Sequence, residues 1–281
     1  MEQFLKHFKY VLKENPVTAL SFFMFFALIF LSIFGSAIAP YDPLLTDSKA
    51  ILQPPSWAHL FGTDNLGRDI LSRVIVATKL DLFIAFSAVF LSFFAGSALG
   101  AISGFYGGWL DKIIGRVCDS IMAFPLFVLA MGIVATMGNS VENIIYATAI
   151  INLPFYARVT RAEVLIRRDA GYVQAAKLNG NSNMRILALQ IFPNCLPPMM
   201  IQISLNMGWA ILNAAGLSFI GLGVRPPDAE WGIMVAEGAT YIVSGEWWLA
   251  LFPGLALMLA VFCFNLLGDG LRDLVDPKKR T

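Results

Sequence analysis

Few residues in this 281-residue sequence combine the side-chain type and the spacing that catalysis requires. No segment matches the phosphate-binding pattern G-x-x-x-x-G-K-[ST], so the chain is not expected to hydrolyse a nucleotide. The histidines, His7 and His59, have no nucleophile or metal-ligand cluster beside them in the sequence. The three cysteines are scattered in or beside apolar segments, which predicts small buried side chains: Cys118, Cys195 and Cys263. The sequence therefore predicts a non-enzymatic chain with no cofactor or metal of its own.

A stripe of carboxamide side chains lies in a long apolar segment near residue 200. Gln202 and Asn206 are four residues apart and so share a helix face, and Asn213 follows seven residues later on nearly the same face. Two interpretations remain open. The stripe lines a polar pathway, or its amides form hydrogen bonds to neighbouring helices worth about 1 kcal/mol each.

The composition predicts an all-α integral membrane protein. Hydrophobic residues make up 57% and charged residues 14% of the chain, against about 25% charged in soluble domains. The apolar residues occur in long blocks, and the net charge of +1 gives no reason to expect a nucleic-acid partner. We predict six transmembrane helices, at about 17–39, 82–105, 120–137, 144–159, 186–215 and 248–268.

The first of these helices has some features of a secretory signal. Lysines precede it, and Ala37-Ile38-Ala39 resembles a cleavage site. However, the uncharged run 15–41 is far longer than the roughly 7–15 residues of a signal core. Pro40 would also follow directly after the cut. We expect an uncleaved transmembrane helix.

The distribution of Lys and Arg predicts the orientation in the membrane. With the N-terminus inside, 15 of the 20 basic residues fall on the inner side of the six predicted spans. The five on the outer side are Lys49, Arg68, Arg73, Lys79 and Arg225. This bias predicts that both termini and the segment 158–185 are cytoplasmic, in the inner (plasma) membrane of a bacterial-type cell.

Two sizeable loops are predicted on the outer side, at 41–80 and 217–247. In the first, we expect the charged residues Asp64, Arg68 and Asp69 to pair with one another. In the second, the half-apolar stretch 231–244 is too short to span, so it lies at the outer interface or folds into the bundle. Its aromatic residues are predicted at headgroup level: Trp231, Tyr241, Trp247 and Trp248.

The predicted spans contain no Asp, Glu or Lys and no inward-lying Arg. Proton- and ion-coupled transporters usually carry coupling on such groups, although sodium sites built of carbonyl and hydroxyl oxygens remain an alternative. Active transport by this chain would therefore take its energy from a partner. The segment 170–198, the most polar break in the second half of the chain, is the candidate contact.

This segment predicts two helices joined by a glycine turn. Asp169 is expected to cap the first helix, Gly180 to end it and Ser182 to cap the second. In the first helix, four residues at i, i+3 and i+4 spacing share a face, and its two alanines would allow close approach to a groove on another protein: Tyr172, Ala175, Ala176 and Asn179.

One motif resembles a family signature. It begins at Gln174-Ala175-Ala176, continues through Gly180 and ends in IFPN at 191–194 and LPP at 196–198. The family comprises the inner-membrane permease subunits of binding-protein-dependent ABC importers, whose signature begins E-A-A-x-x-x-G. Gln174 stands where the family usually has Glu. Other stretches resemble the peptide/nickel class and its second, shorter-looped permease type: 39–43, 61–69, 104–109, 217–223, 226–227 and 264–273.

The resemblance implies a type I ABC importer permease fold and a non-catalytic subunit that carries peptides or a similar small solute. Partners would be a homologous permease, two ATPase subunits that bind ATP and Mg²⁺, and an extracytoplasmic solute-binding protein. The implied coupling contact consists of Tyr172, Gln174, Ala175, Ala176 and Gly180. The alternative is an ion-coupled secondary transporter that acts alone.

We divide the chain into two parts. Residues 1–80 would hold the N-terminal cytoplasmic tail, the first transmembrane helix and the outer loop. Residues 81–281 would form a five-helix permease core with the coupling helix at about 170–183. The cargo itself, whether dipeptide, longer peptide, nickel complex or opine, is not specified by the sequence.

Overall fold

The computed structural model describes residues 15–275, and the named elements in this range are all helices. The N-terminal lysines and His7, and the basic residues at 278–280, lie outside the described residues. The helices are α1 (Pro16–Ile38), α2 (Ile70–Tyr106), α3 (Gly108–Met122), α4 (Leu126–Met137), α5 (Val141–Arg167), α6 (Gly171–Leu178), α7 (Asn183–Ile186), α8 (Phe192–Phe219), α9 (Trp231–Ala239) and α10 (Trp248–Val275). A π-helical turn, Leu187–Ile191, joins α7 to α8.

Four described helices are long and apolar enough to cross a membrane: α1, α2, the continuous helix Asn183–Phe219 and α10. A fifth crossing results if the bent pair α3 and α4 is taken as one broken span. Helix α5 has 27 residues, or about 40 Å, which exceeds a hydrocarbon core of about 30 Å. It is more polar than the others because it continues past the predicted fourth span, 144–159, into a segment that carries Arg161 and Arg167.

The predicted third span, 120–137, is wrong as one continuous helix. The chain breaks at 123–125, and the axes of α3 and α4 differ by 89°. Pro125 explains the position of the break, because its ring disfavours helical geometry at the preceding residue, Phe124. Helix α4 alone, with 12 residues, is about 18 Å long and does not reach across the core.

Helix α2 begins 12 residues earlier than predicted and contains 37 residues. Asp69 caps it, because its Oδ2 accepts hydrogen bonds from the Ser72 amide at 2.8 Å and the Ser72 hydroxyl at 2.7 Å. The added turns carry Arg73, Lys79 and Asp81, which the hydropathy pattern had placed in a loop. The predicted boundary between residues 80 and 81 therefore lies inside a helix.

Helices α2 and α5 pack closely and run in the same direction. Gly96, Gly100 and Gly104 form a G-x-x-x-G-x-x-x-G stripe on α2, which lets the two backbones approach. A Cβ atom at these positions would meet, in order, Leu153, Ala157 and Arg161 of α5, so the register advances on both helices together. Since α2 and α5 are parallel, the chain between 107 and 140 returns to the opposite end of the bundle.

We expect Gly100→Ala to lower the thermal unfolding temperature markedly. The new Cβ would lie 2.2 Å from the Ala157 carbonyl oxygen, and overpacking against backbone costs about 1–3 kcal/mol. Gly132→Ala in α4 is the matched control, because nothing lies within 4 Å of its Cβ position. Helix propensity alone favours alanine by about 1 kcal/mol at both sites. Thermal unfolding in detergent checks the pair, and equal behaviour of the two variants would contradict the packing described.

Of the remaining spans, α1 and α8 run antiparallel to this pair, and α10 runs antiparallel to α1 and α8. The Ser204 hydroxyl in α8 donates to the Phe264 carbonyl of α10 at 2.7 Å. The start of α1 lies beside the end of α10, where Asn15 Nδ2 donates to Asp273 Oδ2 at 2.9 Å. The two ends of the described chain are therefore on the same side of the bundle, together with the C-terminal ends of α2 and α5.

Candidate functional site

The elbow, residues 168–183, lies between α5 and the long helix that contains α8. Gly180 has φ of +74°, which glycine adopts at little cost, and this ends α6. The Gly180 amide donates to Lys177 O at 3.0 Å, and the Asn181 amide donates to Ala176 O at 3.2 Å. This pair of bonds is a Schellman motif. The predicted glycine stop is confirmed.

One of the two helix caps predicted in the elbow is present in the structure. The Ser182 hydroxyl accepts from the Arg185 amide at 3.4 Å and caps α7, as predicted. The prediction that Asp169 caps α6 is wrong. The capping position is Ala170, which makes no side-chain bond, and the Asp169 carboxylate, one residue too early, pairs with Arg168 at 3.3 Å.

Helix α6 divides its residues between the protein interior and solvent. Val173 and Ala176 are buried in the main core, so the prediction that Ala176 faces outward is wrong, because the inner face of α6 needs both side chains. The exposed side is formed by Tyr172, Gln174, Ala175 and Leu178. The side chain of Leu178 is 89% exposed, and the sequence analysis missed it. An apolar residue next to the Asn-Gly stop was the available signal.

Two arginines before the elbow form ion pairs with aspartates of α3. Arg161 makes a bidentate pair with Asp111 of α3, with Nε–Oδ1 at 2.5 Å and Nη2–Oδ2 at 2.6 Å. Arg158 pairs with Asp119, also of α3, at 2.7 Å. These contacts fix α3 to the end of α5, close to the elbow.

A cavity of about 490 Å³ lies between α4, α5, α8 and α10, and we call it the amide chamber. Five carboxamide side chains line it: Asn152, Gln202, Asn206, Asn213 and Asn265. No charged side chain of residues 15–275 lines the cavity. The other lining residues are apolar: Pro125, Leu126, Phe127, Ile151, Phe155, Leu205 and Trp209. Its size and mixed lining are typical of a site for a small polar molecule.

Hydrogen bonding in the chamber is incomplete. Gln202 Nε2 donates to Asn206 Oδ1 at 3.0 Å, and Asn213 Nδ2 donates to the Trp209 carbonyl at 2.9 Å. The Nδ2 of Asn206 is buried and has no partner within the described residues. Tyr156 lies close to this shielded group, and an unmade bond at a buried amide costs about 1–3 kcal/mol. Asn152 and Asn265 were missed, because they belong to other helices than the stripe.

The loop 39–69 is fastened to α2 by a buried charge cluster. Arg68 Nε lies 2.6 Å and Arg73 Nε 3.7 Å from Asp64 Oδ2, so the expected Asp64–Arg68 pairing is confirmed. Asp69 does not join it, since it caps α2 and lies 3.0 Å from His59 Nδ1. His59 is thus held in a contact and is not an isolated surface residue.

The stretch 231–244 folds into the bundle as α9, one of the two predicted alternatives. The headgroup-level prediction is wrong for Trp231 and Trp248, which are buried and donate to Val74 O at 3.1 Å and Thr63 O at 3.3 Å. Both oxygens of Glu230 accept from the first amides of α9, and burial raises the pKa of this carboxyl. Asp81 of α2 accepts from the Trp231 amide at 3.2 Å. Asp81 is thus a buried acid within a span, which the sequence analysis missed because it began α2 at 82.

The three cysteines are free and buried, as predicted. They lie on separate helices, α3, α8 and α10, and have no part in the elbow or the chamber lining.

The helices described above define a polytopic, all-helical membrane protein. Residues 96–281 match the family described as binding-protein-dependent transport system inner membrane component. Residues 3–55 match the N-terminal TM domain of oligopeptide transport permease C. The chain therefore belongs to the family of inner-membrane permease components of binding-protein-dependent ABC importers. Members of this family are non-catalytic subunits that work with a partner permease, ATPases and a substrate-binding protein.

Curated relatives resemble the chain over nearly its whole length. The probable D,D-dipeptide transport system permease protein DdpC of Escherichia coli K12 is 44% identical over 96% of this chain and 90% of its own length. The dipeptide transport system permease protein DppC of Haemophilus influenzae is 39% identical over 98% and 95%. The solved inward-facing MetNI methionine ABC transporter has a TM-score of 0.58 over 72% of this chain and 96% of that chain, at 16% identity. This last similarity shows the type I importer permease fold.

Proposed function

We propose that this permease forms, with one homologous permease, the membrane pathway of an importer for dipeptides or similarly small polar solutes. The names of its relatives and the uncharged amide chamber support this cargo class. Peptide groups and carboxamides both donate and accept hydrogen bonds, so they can pair in a chamber without fixed charge. The ion-coupled transporter acting alone is not favoured, because the chain belongs to a family of ATP-driven importers.

The proposed topology has six crossings, the third made by α4 with its flanking residues while α3 lies at the cytoplasmic end of the bundle, and both termini are in the cytoplasm. Parallel packing of α2 and α5 supports this count, because the chain between them must return across the membrane. The contact between Asn15 and Asp273 supports placing both ends on one side. The excess of Lys and Arg on that side supports a cytoplasmic location.

The exposed face of α6 is the proposed contact for an ATPase subunit, and it is the observation that carries the importer mechanism. Tyr172, Gln174, Ala175 and Leu178 would enter a groove of that partner, while Ala176 and Gly180 would hold the helix in place. Two ATP-binding subunits, one beneath each permease, would supply ATP and Mg²⁺. Because α7, the π turn and α8 are continuous, movement of α6 would reach the chamber through a helix rather than a loop.

Site-directed photo-crosslinking tests this assignment. A thiol-linked probe is attached to Leu178→Cys in the chain co-expressed with its ATPase, and an adduct between the two proteins is expected. Val243→Cys is the matched control, because Val243 is equally exposed but lies at the other end of the bundle. The native cysteines are buried and should not react. An ATPase adduct from position 243 with none from position 178 would overturn both the contact and the orientation.

The amide chamber is the proposed cargo pathway, with Gln202, Asn206 and Asn213 among its lining residues. We expect Asn206→Leu to reduce uptake by at least about tenfold, the effect of losing about 1.4 kcal/mol of interaction. Asn194→Leu on the same helix is the control, since Asn194 is exposed outside the chamber and should retain normal uptake. Uptake of labelled dipeptide into proteoliposomes measures both. Equal uptake by the two variants would exclude the chamber from the pathway.

The outer face would receive the solute-binding protein. The loop 39–69 and the turn that follows α9 are its proposed contacts, since both lie at the end of the bundle opposite the elbow. We retain the two-part organisation, an N-terminal segment followed by a five-span core, and propose that the join lies in the loop before Ile70.

A further inference from the structure

Helix α3 presents an apolar stripe and a cationic stripe side by side. Trp109, Ile113 and Val117 repeat at intervals of four residues and are all at least half exposed. Lys112 and Arg116, also four residues apart, are exposed on the adjoining face. Neither cation has an ion-pair partner within residues 15–275. An amphipathic helix with Trp and basic residues is typical of a helix that lies along a membrane surface.

The position of α3 agrees with this pattern. It follows α2 after the single residue Gly107 and runs at 89° to α4, so it lies across the bundle when α4 is upright. Asp111 and Asp119 are about 12 Å apart along α3, yet their partners on α5, Arg161 and Arg158, are about 4.5 Å apart along that helix. Helix α3 thus crosses the end of α5, at the level where a spanning helix meets the headgroups.

A pocket of about 480 Å³ opens between α3, α2 and α5 beside the cationic stripe. Its charged lining comprises Lys112, Arg116, Arg158, Arg161, Asp111 and Asp119, which gives a net charge of +2. The two aspartates are occupied by Arg158 and Arg161, as described above. The unneutralised charge therefore belongs to Lys112 and Arg116, which lie between the pocket and the apolar stripe.

We propose that this pocket binds the headgroup of an anionic phospholipid. The phosphate would accept hydrogen bonds from Lys112 and Arg116, and an acyl chain would cover Trp109, Ile113 and Val117. Basic pockets beside spanning helices at a membrane surface suit such headgroups. The arrangement favours a lipid over a protein partner because the apolar and cationic side chains lie side by side. They match the adjoining acyl chain and phosphate of a phospholipid.

The test compares lipid retention by the full chain purified with its partner subunits. Nanodiscs contain phosphatidylcholine with a minor fraction of phosphatidylglycerol, and native mass spectrometry counts the lipids retained on this subunit. The wild type should retain phosphatidylglycerol severalfold above its share of the bilayer. Lys112→Gln with Arg116→Gln should abolish the preference. Lys49→Gln with Arg225→Gln removes the same charge from exposed outer positions and should leave it intact.

Three results would overturn the proposal: no enrichment in the wild type, equal losses in both double variants, or an unchanged preference in the folded Lys112→Gln with Arg116→Gln variant. If the first double variant does not fold, Lys112→Arg with Arg116→Lys serves instead. This exchange keeps both charges, so it must keep the preference, and a loss of preference in the folded exchange variant would also count against the site.

Discussion

Gly180→Val is expected to abolish transport while the chain still inserts into the membrane and reaches normal levels. The φ of +74° at this position costs an L-residue about 1–2 kcal/mol, and a β-branched side chain more. Nothing lies within 4 Å of the Cβ position, so the variant introduces no clash that would unfold the bundle. The strain is instead released by opening the turn. That would break the bonds from Gly180 to Lys177 and from Asn181 to Ala176 and would displace α6 from its buried contacts.

Gly180→Asn separates conformation from size. Asparagine is about as bulky as valine, and the Cβ position is open, so side-chain size does not distinguish the two variants. Because asparagine adopts the left-handed conformation more readily than other non-glycine residues, this variant should keep substantial uptake. ATP-dependent uptake in proteoliposomes and the protein level in membranes are the two measurements. Normal uptake by Gly180→Val would show that the geometry of the turn is not needed for coupling.

The elbow was largely predictable because its signals are local. A helix stop at Asn179-Gly180 and a cap at Ser182 depend on bonds within a few residues, and the structure has both. The errors at Asp169 and Ala176 have the same origin. A shift of one residue in the helix start, and the choice of which face packs inward, depend on the core residues that meet α6 from elsewhere in the chain.

The chamber and α3 could be predicted only in part. One helix of the chamber was visible as the stripe from Gln202 to Asn213, but Asn152 and Asn265 join it through the packing of α5 and α10. Hydropathy also merged part of α3 with α4, since their joined sequence is apolar enough for a span. The 89° bend follows from Pro125 together with the ion pairs that hold α3 across α5, and the latter depend on residues about 40–50 positions apart.

Breaking the buried charge cluster of the outer loop should have the largest effect on stability. In Asp64→Asn, the side-chain oxygen can still accept from the amides of Leu66 and Arg68, as Oδ1 does at 2.8 and 2.9 Å. The change removes the negative charge and turns an amide donor toward two guanidinium groups. Loss of one partner from a buried ion pair costs about 3–5 kcal/mol, because the remaining charge stays buried without compensation.

Asp47→Asn is the matched control for this prediction. Asp47 lies in the same loop and also accepts a backbone hydrogen bond, from the Lys49 amide at 2.8 Å, but its carboxylate is exposed and pairs with no cation in the described chain. Its substitution should change the free energy of unfolding by less than about 0.5 kcal/mol. Thermal unfolding of both variants in detergent gives the comparison.

The expected difference depends on how Arg68 and Arg73 are compensated once Asp64 is neutral. Glu237 of α9 remains 3.6 Å from Arg68, so part of the charge on Arg68 is still balanced. As hydrogen-bond partners Arg73 keeps the carbonyl oxygens of Pro43 at 3.2 Å and Pro227 at 3.5 Å, while Glu237 and Asp228 act on its charge without an ion pair among residues 15–275. The loss of folding free energy should therefore arise mainly at Arg73, where the loop 39–69, α2 and the segment before α9 meet. If Arg73→Met restores stability to the Asp64→Asn variant, the uncompensated guanidinium is the cause; if it lowers stability further, the packing of Arg73 matters more than its charge.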